Sequence, residues 1–453
     1  MNLIEIREAL EFGRKENNGR PELFSEGRDP ARWEEARTSA LYRDWLEEAF
    51  ERAEAYMAEP IRTLPFSLYR IFDETGSRIE YENVFFDRRA RLNTFALLAL
   101  VYGEKKYLDS LEDILWAICD EYIWAVPAHL YGQSTSVPDR TDNCGVRDGI
   151  LRAEVRRHWE VIDLFSAETA FALAEITSLL EKELNPLVVY RARREISRRI
   201  FKPLRHSLYI WDKITSNWAA VCAGSAGAAA LYLIEDDEVL VPLLHRLLGN
   251  MEAFLSGYAD DGACTEGIGY WTYGFGFFVY FSELLRQRTA GKIDLFKSEK
   301  VKNIAAFQQK CYLSEDRVIS FADSFPSFRF QIGLTHFLKG IYDEVEVPDE
   351  KYKAGLYFDR CHHWPHLIRN FVWRKRYEES LSKVGSHYLP NAQIFVSKLL
   401  KDGNIICFAA KGGHNGEPHN HNDIGSFIFH INGESLLTDI GCGEYTREYF
   451  GPG

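Results

Sequence analysis

The chain has 453 residues, too many for one compact core, so two domains are expected. Hydrophobic residues make up 46% and charged residues 27%, the balance of an ordinary globular protein. A formal net charge of -13 speaks against nucleic acid as a partner, because phosphate binding needs a basic field. An anionic sugar stays compatible, since a few local Arg and Lys side chains set the potential of a cleft. Aromatic residues reach 14%, material for a core and for stacking on sugar rings.

The segment from Met1 to Glu8 has neither a basic stretch nor an apolar one, so no signal peptide is read there. No apolar run is long enough to span a bilayer. Cys119, Cys144, Cys222, Cys264, Cys311, Cys361, Cys407 and Cys442 are scattered and form no CxxC. Scattered thiols without a leader point to a reducing compartment, and a cytoplasmic location is expected.

Helical spacing dominates up to about Arg376. The stretch 89–102 (RARLNTFALLALVY) has apolar residues at helical spacing and ends at Gly103, a fitting residue for a left-handed helix end. The stretches 110–122, 161–180 and 237–255 follow the same pattern. The stretch 217–233 is rich in Ala and Gly and apolar nearly all round, which predicts a buried helix. Successive helices with short connections suit a closed α/α toroid or an open solenoid, and periodicity does not separate the two. Beyond Arg376 the period becomes that of strands, at 393–399, 404–410, 426–432 and 435–440. Asn432-Gly433 marks a hairpin turn that needs positive φ. The predicted fold is α+β, with a helical domain over 1–376 and the start of an antiparallel β-sandwich over 377–453. Four strands are few for a free-standing sandwich. Either the sheet docks on the helices or the natural protein is longer, and the second is favoured.

Three segments carry chemistry. The loop 411–423 (KGGHNGEPHNHND) holds His414, His419 and His421. If its HxH pair lies on a strand, both imidazoles face one side, and Asp439 follows on the next hairpin strand. Imidazole plus carboxylate suits zinc. The segment 260–274 (DDGACTEGIGYWTYG) places Tyr270 and Tyr273 three apart, on one face of a helix if it is helical. Thr215-Ser216-Asn217-Trp218 precedes the Ala-rich helix, and by itself reads as an N-cap.

Together DGxxxEGxxYWxYG, the upstream SNW and HNHND followed by SFIFHINGESLLTDIG resemble the heparinase II/III-like and oligoalginate-lyase superfamily. The resemblance implies an α/α toroid followed by a β-sandwich and β-elimination on uronic-acid-containing glycans. By that resemblance Asn217 neutralises the uronate carboxylate, Tyr273 or Tyr270 is base or acid, and His419 is their partner. The resemblance implies Tyr273 rather than Tyr270, because its distance in sequence from Asn217 fits the family slightly better. Glu266, Trp271, Trp218 and His414 are candidates for substrate binding. His421 and Asp439 match metal ligands that hold a structural zinc. Two features depart from the pattern. Some relatives have His where this chain has Trp218, and their third metal ligand lies beyond Gly453. His414 and His430 are weaker metal candidates.

The chemistry has definite requirements. Elimination removes a weakly acidic C5 proton beside a carboxylate whose charge opposes the carbanion, so that charge must be hydrogen-bonded. A base takes the proton and an acid protonates the leaving O4. An amide suits the first task and a phenol either of the others. Three rivals remain: a uronyl C5-epimerase, a toroid glycoside hydrolase using Asp261 and Glu266, and an inactive sugar-binding homologue. The expected partner is an acidic oligo- or polysaccharide, with no nucleic acid and no membrane. Among weaker signals, Cys361-His362-His363-Trp364-Pro365-His366 reads as a surface loop and 192–200 (ARREISRRI) as a solvated helix face. Arg88, Arg89 and Arg91, and Arg156, Arg157, His158 and Trp159, have the character of sugar contacts.

Overall fold

A computed structural model describes residues 1–130, 160–417, 421, 424–447 and 449. His419, Cys144 and the group Arg156, Arg157, His158 and Trp159 lie outside the described residues. The main helices, in chain order, are α1 (Leu3–Glu16), α2 (Pro30–Thr38), α3 (Arg43–Ala58), α4 (Ile79–Tyr102), α5 (Lys105–Cys119) and α6 (Leu164–Leu179). They continue with α7 (Pro186–Ile196), α8 (Asn217–Leu233), α9 (Asp237–Ser256), α10 (Gly276–Arg288), α11 (Ile332–Ile341) and α12 (Trp364–Val372). Asn2 and Asp163 begin α1 and α6 with reciprocal side-chain caps, and α4 ends on Gly103 at φ 64°.

These helices close on themselves. Helix α4 packs on α5, α5 on α7, α7 on α6, and α6 on α8. Helix α8 packs on α9 and α10, α10 on α12, and α12 returns to α4. That circuit is the toroid rather than the open solenoid. Every residue of α6 is buried, and so is α8 from Ala219 to Tyr232, as an all-apolar helix requires. A bidentate ion pair crosses the ring. Arg369 of α12 donates to both oxygens of Glu175 of α6 at 3.0 and 2.9 Å, and Tyr232 and Trp364 also donate to that carboxylate.

Arg88, Arg89 and Arg91 are structural, contrary to the sugar-binding expectation. Arg88 and Arg89 are buried against Glu121 at 2.6–2.8 Å, and Arg91 donates to the Glu59 carbonyl. The 192–200 stretch is solvated on one side only. Ala192, Ile196 and Ile200 are buried, and Arg199 reaches inward to Glu195 and the Tyr122 carbonyl.

The strands form a short hairpin, β1 (Tyr312–Ser314) with β2 (Arg317–Val318), and a five-stranded antiparallel sheet in chain order. Its strands are β3 (Gly385–Leu389), β4 (Ile394–Lys401), β5 (Asn404–Lys411), β6 (Phe427–Ile431) and β7 (Glu434–Leu437). The Asn432-Gly433 turn has φ of 48° and 88°, as its sequence demands. The sheet docks on the helical part through the β1–β2 hairpin. Cys407 Sγ donates to the Leu313 carbonyl at 3.2 Å, and Ser314 Oγ lies 2.6 Å from Nε2 of the fully buried His430. His430 is thereby a docking residue. The Asn391 amide also donates to Asp261 at 2.8 Å. Among the described residues no helix is long and apolar enough to cross a membrane.

Candidate active site

Ser216 holds the N-cap position of α8 but makes no side-chain cap. The cap reading thus holds for the position of Ser216 but not for its side chain, while Asn217 is the first helical residue and its polar atoms turn elsewhere. Its backbone N–H donates to Glu266 Oε1 at 3.3 Å and its side-chain amide to Glu266 Oε2 at 2.5 Å. Asn217 is 2% exposed and Glu266 8%, so this carboxylate fixes the amide instead of standing open to substrate.

The tyrosine segment lies alongside. Gly267 has φ +104°, and a Cβ there would come 2.0 Å from Ser324 Oγ, so only glycine allows this approach. A short helical turn, Ile268–Tyr270, then widens into a π-turn over Trp271–Phe275. Gly274 rests against Asn217, where a Cβ would lie 3.0 Å from the Asn217 Cβ. The wider turn sends Tyr270 and Tyr273 to different partners, whereas an ordinary helix would have aligned them on one face. Between them Trp271 is 1% exposed and donates to the Ile304 carbonyl at 2.7 Å. It packs the core and does not present itself to a sugar.

Tyr273 begins a chain of hydrogen bonds and ion pairs on the helical side. Its hydroxyl donates to Glu168 Oε1 of α6. Glu168 Oε2 lies 3.2 Å from His363 Nε2, close enough for an ion pair but off the line of a hydrogen bond. His363 Nδ1 is 2.5 Å from Asp359 Oδ2. Its ring also sits 4.7 Å from that of Tyr273. Burial raises the Glu168 carboxyl to about 7 against the opposing charge of His363 and the Tyr273 hydroxyl. Burial works against the His363 imidazolium, but Asp359 and Glu168 outweigh it and raise the imidazole to about 9. Burial and the Glu168 charge push Tyr273 well above the ordinary phenol range. The CHHWPH stretch is thus no surface loop. Trp364, Pro365 and His366 are buried and His363 is 9% exposed.

Tyr270 belongs to a second chain on the sheet side. Its hydroxyl is 2.9 Å from that of Tyr445, which donates to Asp323, and Asp323 Oδ1 is 2.7 Å from His421 Nε2. His421 sits in the loop between β5 and β6 and not on a strand. Asp439 lies just past β7, where Oδ1 accepts from the Gly441 amide at 2.9 Å and Oδ2 from Ser426 at 2.6 Å. His421 and Asp439 are thus each engaged in hydrogen bonds. Asp359, Cys361 and His363 do bring three ligand atoms within 4.8 Å of one another. In this arrangement His363 Nδ1 and Asp359 Oδ2 are hydrogen-bonded to each other.

The remaining expected residues lie as follows. Trp218 is half-buried with its ring 4.8 Å from that of His129, whose Nδ1 is 2.8 Å from Asp163. His414 is exposed and accepts from the Gly416 amide. Glu168, His363, Asp359, Asp323, Tyr445 and His129 went unmarked as site residues in the sequence. Only His363 stood in a motif that drew attention.

Among the described residues, then, a ring of helices carries an antiparallel sheet, and the tyrosine segment packs against the start of α8. No family model matches the chain, and no curated protein matches it. Solved structures resemble it in architecture. A heparan sulfate lyase from Pedobacter heparinus is 14% identical with a TM-score of 0.49, covering 88% of this chain and 61% of its own. A heparinase III gene product is 14% identical with a TM-score of 0.48, covering 94% of this chain and 68% of its own. The chain thus spans about three fifths of the length of the first of these lyases.

Proposed function

We propose that the protein is a lyase cleaving uronic-acid-containing oligo- or polysaccharides by β-elimination. The observation that carries this reading is the packing of Gly274 against Asn217, which puts an amide and a phenol segment side by side with a carboxylate acceptor behind Tyr273. The Asn217 amide has two N–H groups. One is committed to Glu266 and fixes its rotation, and we assign the other to a uronate carboxylate, whose charge it would offset as C5 loses its proton. Tyr273, with an acceptor for its own proton, takes the base side. Tyr270, tied to the loop that bears His421 and His419, takes the side of the leaving O4. The hydrolase alternative is disfavoured because Asp261 already accepts from the Asn391 and Ala263 amides and Glu266 from Asn217.

Elimination creates a C4–C5 double bond conjugated to the carboxylate, which absorbs in the near-ultraviolet. The test is incubation with heparan sulfate, hyaluronan, chondroitin and alginate oligosaccharides. At least one should give rising absorbance, and Asn217→Ala and Tyr273→Phe should each lower kcat by about 10²–10³-fold. Full turnover by Tyr273→Phe with loss in Tyr270→Phe would transfer the base role to Tyr270. No absorbance rise on any of the four would overturn the reading.

A further inference from the structure

We infer that Glu168 is the terminal acceptor of the abstracted proton, reached through the Tyr273 hydroxyl, and that His363 and Asp359 are positioning residues that set its charge. The inference rests on the lyase reading and deepens it. The geometry is a single line of contacts: Tyr273 hydroxyl to Glu168 Oε1, Glu168 Oε2 to His363 Nε2 at 3.2 Å, His363 Nδ1 to Asp359 at 2.5 Å. The three residues behind the phenol come from α6, the start of α12 and the turn before it, so the ring has to close for the line to exist.

A neutral phenol is a poor base, and although the His363 ring lies 4.7 Å from that of Tyr273, burial and the Glu168 charge keep the phenol protonated. Its one hydroxyl partner is a carboxylate, which accepts a proton readily. In the step, the C5–H bond breaks and its proton goes to the Tyr273 oxygen while the Tyr273 proton passes to Glu168 Oε1. The C5–H electron pair becomes the C4–C5 π bond, and the C4–O4 bond breaks. The leaving O4 takes a proton from the Tyr270 side, and both groups are reset with solvent after product release. Tyr273 ends each step neutral, so its raised pKa is no obstacle. A carboxyl near 7 is matched to this task at neutral pH.

The groups facing Glu168 are His363, Tyr273, Asp359 and Asp163, with the thiols of Cys222 and Cys361. Among them His363 alone is cationic and holds the Glu168 carboxyl down. Two results are therefore expected. Glu168→Gln keeps an oxygen for the Tyr273 hydroxyl but cannot take its proton, so kcat should fall about 10²-fold or more with KM nearly unchanged. In the wild type kcat should fall as pH drops through about 7, and in His363→Gln that limb should move to higher pH. A purely structural Glu168 would leave the limb in place. If Glu168→Gln retains wild-type kcat, or does not fold and the limb is unmoved in His363→Gln, the inference is wrong while the lyase reading stands. If the wild type itself performs no elimination, both fall together.

Discussion

His363 lies between Asp359 and Glu168 with 9% of its side chain exposed, and its protonation bears on stability as well as on catalysis. Its imidazole is raised from 6.5 to about 9 in the folded state. A raised pKa means that the folded protein holds the proton more tightly than the unfolded chain. The stability so gained is fully present below pH 6.5 and is lost as pH rises through about 9. Thermal unfolding of the wild type should therefore shift to lower temperature across that interval, and His363→Gln should show a flatter profile there. Parallel profiles would mean that the imidazole is not clamped as described. The residue was legible only in part. Cys361 to His366 stood out as a cluster, but Trp364-Pro365 suggested a break. Pro365 in fact occupies the first turn of α12, where its missing N–H costs nothing, and Leu367, Ile368, Phe371 and Val372 keep helical spacing behind it. That spacing was a usable signal.

At the scale of elements, the tyrosine segment depends on a backbone that an ordinary helix does not supply. Gly267→Ala would force a Cβ onto Ser324 at a left-handed φ, with an expected cost of about 1–3 kcal/mol. The same change should lower activity, since it moves the start of the turn that carries Tyr270 and Tyr273. Chemical denaturation and the absorbance assay read the two effects, and a variant unchanged in both would show that the approach of Gly267 to Ser324 is not needed. The helix over 217–233 was read to the residue, because an Ala-rich apolar stretch bounded by Ser216 and Ile234 leaves little choice. Helix α4 begins at Ile79, ten residues ahead of its predicted start, because Arg88, Arg89 and Arg91 look like surface residues until Glu121 and the Glu59 carbonyl receive them. Strand β3 was missed because most of Gly385 to Leu389 is exposed and carries no apolar alternation. The π-turn was not legible at all. It widens an otherwise helical pattern, and its sequence shows only glycines and aromatics.

For the whole molecule, the order of helices followed by strands could be read from periodicity, but ring closure could not. Closure depends on contacts such as Glu175 with Arg369 and α12 with α4, which no local pattern reports. For the same reason the sequence yielded Asn217 and the tyrosine pair but not Glu168, a glutamate in an apolar helix that gains its meaning only when α12 arrives beside it. The docking of the sheet likewise brings Tyr445 and His421 to Tyr270 and Asp323, partners 175 and 98 residues away.

The most direct test is proton NMR of the intact protein acting on a defined uronate-containing oligosaccharide in D2O. The account predicts a vinylic H4 signal on a new non-reducing end, absent with Asn217→Ala and Tyr273→Phe. A saturated new end, or an inverted C5 on an uncut chain, would contradict it.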